Sequence, residues 1–174
     1  MAGGMPRPTR WGIAAALVLM LAVTAHAQTP SAPAAIAAKP QDYRPGFADL
    51  MLTYVQPRHA KLGLAGREGN WPLAAFNLKE LKHALEAAGQ QVPKWRELLI
   101  PDMTQAVIAG PITALEAAIK ARDATAFQRE FQQLTAGCNA CHAAANLAYI
   151  TIKAPADPTG QSTFPNQEFA PAKK

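Results

Sequence analysis

Residues 123–145 of the chain read DATAFQREFQQLTAGCNACHAAA. Within this stretch the apolar side chains recur at steps of three and four residues, at Phe127, Phe131, Leu134, Cys138, Cys141 and Ala145. That spacing predicts an amphipathic helix, and Asp123 in front of it is a suitable N-cap. The two cysteines, the only ones in the chain, therefore lie on the face that turns toward the core.

Residues 138–142, CNACH, form a C-x-x-C-H motif, which is the attachment signature of a c-type haem. Residues i and i+3 share one face of a helix, so both thiols can reach the two vinyl groups at one edge of a porphyrin. The adjacent His142 would then lie close to the iron as an axial ligand. Gly137, directly before the motif, would let the porphyrin approach the helix backbone. The motif thus predicts a single covalent haem c, with its iron, as the cofactor.

Three other interpretations of the cysteine pair stay open. A thioredoxin-like dithiol has the same spacing, but it stands at a helix N-terminus after a strand, whereas this pair follows a helical pattern. A zinc site needs about four ligands and the motif offers three, so a distant His59 or His83 would have to complete it. A disulfide between cysteines three residues apart on a helix would close a small, strained ring.

The N-terminal segment has the three parts of a secretory signal peptide. Arg7 and Arg10 form a charged region, an apolar run follows over residues 11–23, and an A-x-A cleavage site ends at Ala27. The apolar run is short for a membrane span of roughly 20 residues. We therefore expect a signal peptide over residues 1–27, a periplasmic mature protein, and no stable membrane span after cleavage.

Charge and composition exclude several classes of function. Loss of the two arginines with the signal peptide would lower the formal net charge from +5 to +3. The chain has no basic stripe with interleaved aromatic residues, so we expect no nucleic-acid partner. It also has no Ser/His/Asp set or paired carboxylates that would suggest a catalytic site, and we do not expect an enzyme.

The mature chain divides by composition and periodicity. Residues 28–45 are rich in Ala and Pro and predict a disordered leader. Residues 46–152 carry helical periodicity and form the predicted domain. Residues 153–174 contain several Pro and Gly residues and predict an irregular tail, which Phe164 and Phe169 could pin back onto the domain.

Four helices are expected within residues 46–152. Their predicted bounds are Gly46 to about Ala65 with a kink or break at Pro57, Asn70 to Gly89, Trp95 to Arg122 with a kink at Gly110-Pro111, and Asp123 onward. Phe76 belongs to the apolar stripe of the second predicted helix and Leu99 to that of the third. Helices of this length with short connections predict an all-α fold, an antiparallel four-helix bundle with the haem attached near the end of the last helix.

With a signal peptide, four amphipathic helices and a single late C-x-x-C-H, the chain resembles the class II cytochromes c, the cytochrome c′ group. The resemblance covers residues 47–152. It implies that Cys138 and Cys141 are the thioether attachment points and that His142 is the proximal iron ligand. It also implies a possible homodimer. Asn146 stands where many members of the group carry a basic residue.

The resemblance implies that the first helix supplies the distal side of the iron. At about 1.5 Å per residue, His142 lies about 27 Å below the start of the last helix. On an antiparallel first helix Met51 lies at about 21 Å and His59 at only about 9 Å from the same end. Met51 is therefore the predicted distal ligand, His59 is the alternative, and an open five-coordinate iron is the third possibility. The expected walls of the distal pocket are Phe47, Tyr54 and Val55.

The leading functional hypothesis is a periplasmic electron carrier that exchanges single electrons with redox partner proteins. Ligation by His142 and Met51 would suit that role, because thioether ligation raises the reduction potential. The alternative is binding of a diatomic gas, NO or CO, at an open distal face. A third hypothesis is a dithiol oxidoreductase that uses Cys138 and Cys141 without haem.

Overall fold

A computed structural model describes residues 44–157, 159–160 and 163–172. The described residues all belong to one compact unit, Asp42–Lys174. The predicted signal peptide and most of the predicted leader lie outside the described residues.

The described part of the chain is mostly helical, as the all-α prediction requires. Its elements are α1 (Phe47–Leu50), a π-helical turn (Met51–Val55), α2 (Gln56–Arg67), α3 (Trp71–Gln91), β1 (Lys94–Trp95), β2 (Leu98–Leu99), α4 (Ile100–Ala121) and α5 (Ala124–Ala144). The first three follow one another without a gap, so four long helical stretches result. The two short strands pair antiparallel, with Lys94 opposite Leu99.

Each long helix packs against two others. Helix α2 contacts α3, α3 contacts α4, α4 contacts α5, and α5 returns to α2. The side chains between them form a single apolar cluster, whose fully buried large members are Leu62, Leu64, Leu81, Leu115, Phe127, Leu134 and Phe169. Burial of each such side chain contributes roughly 1.5–3 kcal/mol.

Pro57 stands in the first turn of α2. A proline ring clashes with the carbonyl four residues earlier and offers it no N–H. The chain accommodates this by opening into the π-helical turn directly before α2. Arg58 Nη1 donates to the Tyr54 carbonyl at 2.8 Å, which satisfies a backbone oxygen beside the proline. The disturbance expected near Gln56 therefore takes the form of a wider turn, and the helical stretch continues through it.

The predicted ends of the middle helices need correction. Helix α3 continues past Gly89 to Gln91, because buried Gly89 serves as a contact for Pro101 of α4 and not as a stop. Trp95 belongs to the hairpin, and α4 begins at Ile100 with Pro101 in its first turn. Pro111 lies inside α4, which is assigned as one helix through that position.

Two residues that were predicted on apolar stripes are exposed to solvent, Phe76 on α3 and Leu99 at the end of β2. The start of α3 agrees with the prediction, since the Asn70 side chain caps it by accepting from the Leu73 N–H.

Three glycines allow α5 to lie close to its neighbours. A Cβ added at Gly63 or Gly66 of α2 would overlap the ring of Phe131 or Phe127. A Cβ added at Gly137 would overlap the Val107 carbonyl of α4. The expectation that Gly137 makes room for a porphyrin is therefore wrong, because its open side faces α4.

The C-terminal segment folds back onto the helices. Phe169 is fully buried in the core cluster and packs against Phe164, whose ring lies 5.9 Å away between centroids. Side chains of the second and third helices hold the segment as well: Arg67 donates to the Pro155 carbonyl, and Asn70 donates to the Ala170 carbonyl.

We predict that Gly63→Ala destabilises the protein by about 1–3 kcal/mol, because the new methyl group would displace the packed ring of Phe131. Gly89→Ala is the matched control. Its Cβ would meet Pro101 at 3.4 Å, an ordinary contact, so the gain in helix propensity should leave stability unchanged or raised by up to about 1 kcal/mol. Urea unfolding of both variants measures the difference, and equal effects would contradict the packing argument.

Candidate functional site

The C-x-x-C-H motif occupies the last two turns of α5, which ends at Ala144. Asp123 fixes the other end of this helix by accepting from the Ala126 N–H at 2.9 Å. Phe127 and Phe131, stacked with centroids 6.0 Å apart, anchor the same face in the core. Because Cys138 and Cys141 continue that face, both half-buried thiols turn inward.

The cysteines open onto a cavity of about 330 Å³ at this end of the helices. Its walls come from α1, the π-helical turn, α2, the hairpin, α3, α4, the end of α5 and the segment that follows α5. All five predicted site residues line it: Met51, His59, Cys138, Cys141 and His142. The structure thus brings together, around one space, residues that are up to 91 positions apart in the chain.

Most of the cavity wall is apolar. Phe47 and Val55 contribute to it, as the sequence suggested, but Tyr54 points away and is 48% exposed. Trp95 closes one side and contacts Phe47, with ring centroids 5.8 Å apart. A cavity of this character suits an apolar ligand with few polar contacts.

Several lining residues were not identified from sequence. They are Ala48, Leu52, Gln56, Leu85, Trp95, Leu98, Ile100, Thr104, Val107, Ile108, Ala145, Leu147, Ile150 and Ile152. Three of them had a signal: Ala145 continues the stripe of the cysteines, and Ile150 and Ile152 belong to the β-branched run at residues 149–152. The others lie on elements whose position depends on tertiary packing.

The imidazole of His142 has one nitrogen engaged. Its Nδ1 lies 2.8 Å from the Ile150 carbonyl oxygen, which can only accept, so Nδ1 carries the proton and donates it. In this tautomer the lone pair lies on Nε2. Histidines that bind metals almost always donate their second ring N–H in this way, which fixes the tautomer and the ring orientation. In this arrangement Nε2 is the ring nitrogen with which His142 could bind a metal ion.

The turn that follows α5 makes this bond possible. Leu147 N donates to the His142 carbonyl at 2.8 Å and Asn146 N donates to the Ala143 carbonyl at 3.0 Å. These are the two bonds of a Schellman motif. Asn146 has φ of 58°, the left-handed conformation that this motif needs and that asparagine tolerates. The chain therefore reverses directly after His142 and passes back over its ring.

His59 has a different environment, in the interface between α2 and α5. It is 2% exposed, and its ring stacks on Phe131 with centroids 4.6 Å apart. Thr135 Oγ1 donates its only proton to the Phe131 carbonyl, so it accepts from His59 Nε2–H at 2.9 Å. Burial lowers the pKa of His59 to about 4, which keeps the ring neutral.

Both thiols are protonated at neutral pH. Burial, with a smaller contribution from the neighbouring Cys141, raises the pKa of Cys138 to about 11. Burial also raises the pKa of Cys141. Dithiol oxidoreductases need the opposite, a thiolate stabilised at a helix N-terminus or by nearby cations. The C-terminal end of a helix is its negative end and gives no such help.

The zinc interpretation has no support in the geometry. Among the residues that the structure describes, no group of three or more His, Cys, Asp or Glu side chains is arranged to hold a metal ion. His83 lies on the surface of α3, 3.9 Å from Glu80. A haem iron needs only one protein nitrogen besides the porphyrin, so this finding does not bear on the haem prediction.

A larger groove of about 630 Å³ lies between α3 and α4. It contains none of the five predicted site residues, although Leu85, Thr104 and Ile108 line both this groove and the cavity. The cavity that holds the cysteines therefore remains the candidate site.

Comparison with known proteins gives no match. No protein-family model matches the chain, and neither the curated proteins nor the solved structures include a significant match to it. Within the described ranges, no helix combines the length and the apolarity that crossing a membrane requires.

We predict that His59 makes stability depend on pH. Its pKa is about 4 in the folded protein and about 6.5 when unfolded, so below pH 6.5 the unfolded chain takes up the proton preferentially. The stability present above pH 6.5 should fall by about 3 kcal/mol as the pH drops to about 4. Urea unfolding across this range measures the slope. His59→Gln should flatten it, whereas the surface variant His83→Gln should not, and equal slopes in all three proteins would contradict the prediction.

Proposed function

We propose that this protein is a periplasmic c-type haem protein that transfers single electrons. Cys138 and Cys141 would hold one haem through thioether bonds, and His142 would bind its iron through Nε2. The observation that carries the proposal is the pairing of two inward thiols with a histidine whose Nδ1 is already committed to the Ile150 carbonyl. A haem so held would supply one-electron redox chemistry.

The residues fit this cofactor better than they fit the alternatives. The cavity walls are largely apolar, which suits a buried porphyrin face. Neutral thiols at a helix C-terminus are poor groups for dithiol exchange. Thioether formation consumes both thiols and leaves neither as a redox group.

The contacts among the four long helical stretches support an antiparallel four-helix bundle as their arrangement. Successive helices pack on each other and the last returns to the first, with connections of a few residues between α2 and α3 and between α4 and α5. Together with the late position of the motif, this supports the resemblance to class II cytochromes c.

Met51 is the distal ligand that we favour. It lines the cavity from the π-helical turn, and its thioether is free of hydrogen bonds that would have to break. His59 would have to leave its stack on Phe131 or bind through Nδ1 while Nε2 stays on Thr135. A sixth protein ligand keeps small molecules off the iron and favours electron transfer with periplasmic partner proteins over gas binding.

The proposal is tested by absorption spectra of the protein expressed with haem-attachment machinery. We expect a Soret band that remains with the polypeptide after denaturation. In the double variant Cys138→Ala, Cys141→Ala the denatured polypeptide should carry no Soret band. The reduced protein should show a low-spin spectrum that CO leaves unchanged. A spectrum that shifts with CO would favour gas binding instead, and absence of any Soret band would overturn the haem proposal.

We predict that Met51→Ala converts the haem to a high-spin form that binds CO, because the sixth ligand is removed. Met103→Ala is the matched control, since Met103 is also partly buried but does not line the cavity. Absorption spectra with and without CO distinguish the variants. A low-spin spectrum that persists in Met51→Ala would contradict Met51 ligation and direct the same test to His59→Ala.

A further inference from the structure

Asn139, the first variable residue of the C-x-x-C-H motif, makes two hydrogen bonds to one backbone residue. Its Nδ2 donates to the Ile152 carbonyl at 3.0 Å, and the Ile152 N–H donates to its Oδ1 at 2.8 Å. The carboxamide therefore pairs with Ile152 as the backbone of a neighbouring strand would. Both bonds form only with the amide in this orientation.

Ile152 ends the segment that passes over His142. We call residues 147–152 the strap. Its first residue is held by the Schellman turn, through the bond from Leu147 N to the His142 carbonyl. Ile150 N donates to the Leu147 carbonyl at 2.8 Å, which bends the strap so that the Ile150 carbonyl can accept from His142 Nδ1. Asn139 holds the far end.

Burial holds the two ends of the strap, where Leu147 and Ile152 are half-buried, and contributes less between them. Tyr149 is 79% exposed and Ile150 is 43% exposed. Residues 147–152 belong to no helix or strand, so no backbone ladder holds them. Two hydrogen bonds from a side chain on the rigid helix α5 are then a large share of what keeps the Ile150 carbonyl in place.

We propose that Asn139 is a positioning residue for the proximal ligand, and that it acts through the strap. By holding Ile152 it keeps the Ile150 carbonyl on His142 Nδ1, two residues away. That carbonyl fixes the tautomer and the orientation of the imidazole and makes Nε2 a stronger donor. The inference rests on the proposed haem function and adds a residue that tunes the potential without touching the iron.

The expected effect has a definite direction. When Asn139 no longer holds the strap, the Ile150 carbonyl leaves Nδ1–H to water and the imidazole becomes a weaker donor. A weaker donor stabilises the oxidised iron less, so the reduction potential should rise. Attachment itself depends on the two thiols, so the covalent haem should remain.

The test compares the holoprotein with Asn139→Ala, Asn139→Asp and Gln133→Ala. Asn139→Ala removes both bonds, and Asn139→Asp keeps only the acceptor for the Ile152 N–H. Gln133→Ala truncates an exposed side chain elsewhere on α5. Spectroelectrochemical titration measures the potential, and thermal unfolding monitors stability separately. We expect the oxidised-to-reduced equilibrium to shift severalfold toward reduced iron in Asn139→Ala, less in Asn139→Asp, and not at all in Gln133→Ala.

The outcomes separate this inference from the proposed function. A wild-type protein without covalent haem overturns the proposed function and the inference with it. If every variant carries haem and the reduction potentials are unchanged, only the inference about Asn139 is overturned, even if Asn139→Ala is less stable. Loss of haem attachment in both Asn139 variants, with normal loading of Gln133→Ala, also overturns it, because Asn139 would then serve attachment and not ligand positioning.

Discussion

The close approach of α5 to its neighbours is the constraint on which this structure depends. The rings of Phe127 and Phe131 lie where any side chain at Gly66 or Gly63 would be, and the backbone of α4 lies where a side chain at Gly137 would be. Dense packing of this kind leaves a helix little freedom to rotate. Since the cysteines continue the phenylalanine face, the contacts that build the core also aim the thiols.

Local backbone chemistry completes the site. The helix α5 ends two residues after His142, and a left-handed residue at position 146 turns the chain back toward the imidazole. Asparagine is one of the few residues that adopts this conformation readily. The orientation of the His142 ring depends on its hydrogen bond to the Ile150 carbonyl.

Sequence reasoning succeeded where a pattern is long and local. The apolar stripe of α5 runs along a helix of 21 residues that begins after the Asp123 cap. At the start of α3, the Asn70 cap and Pro72 act within one turn. It failed where contacts decide the outcome. A strand of two residues is too short to show the alternating apolar and polar pattern of a β-strand, so the sequence placed Trp95 in a helix. Gly89 has the composition of a helix stop, but Pro101 packs on it and the helix continues.

The candidate site divides in the same way. The motif itself marked Cys138, Cys141 and His142, and a register estimate brought Met51 to the right cavity wall. The same estimate put His59 farther from the iron level and kept it as the alternative ligand, and His59 also lines the cavity. The strap could not be predicted, because its position depends on a side-chain-to-backbone pairing across 13 residues that leaves no periodic trace.

The π-helical turn has a consequence for how the first helix meets the cavity. Phe47, Met51, Val55 and His59 all line it, at steps of four residues. In a regular α-helix each such step rotates by about 40°, so three steps would carry Phe47 well around the helix. A π turn rotates less per residue and reverses part of this drift. The number of residues between Met51 and Val55 therefore matters as well as their identity: deleting one would rotate everything upstream, Phe47 included, by about 100° about the helix axis.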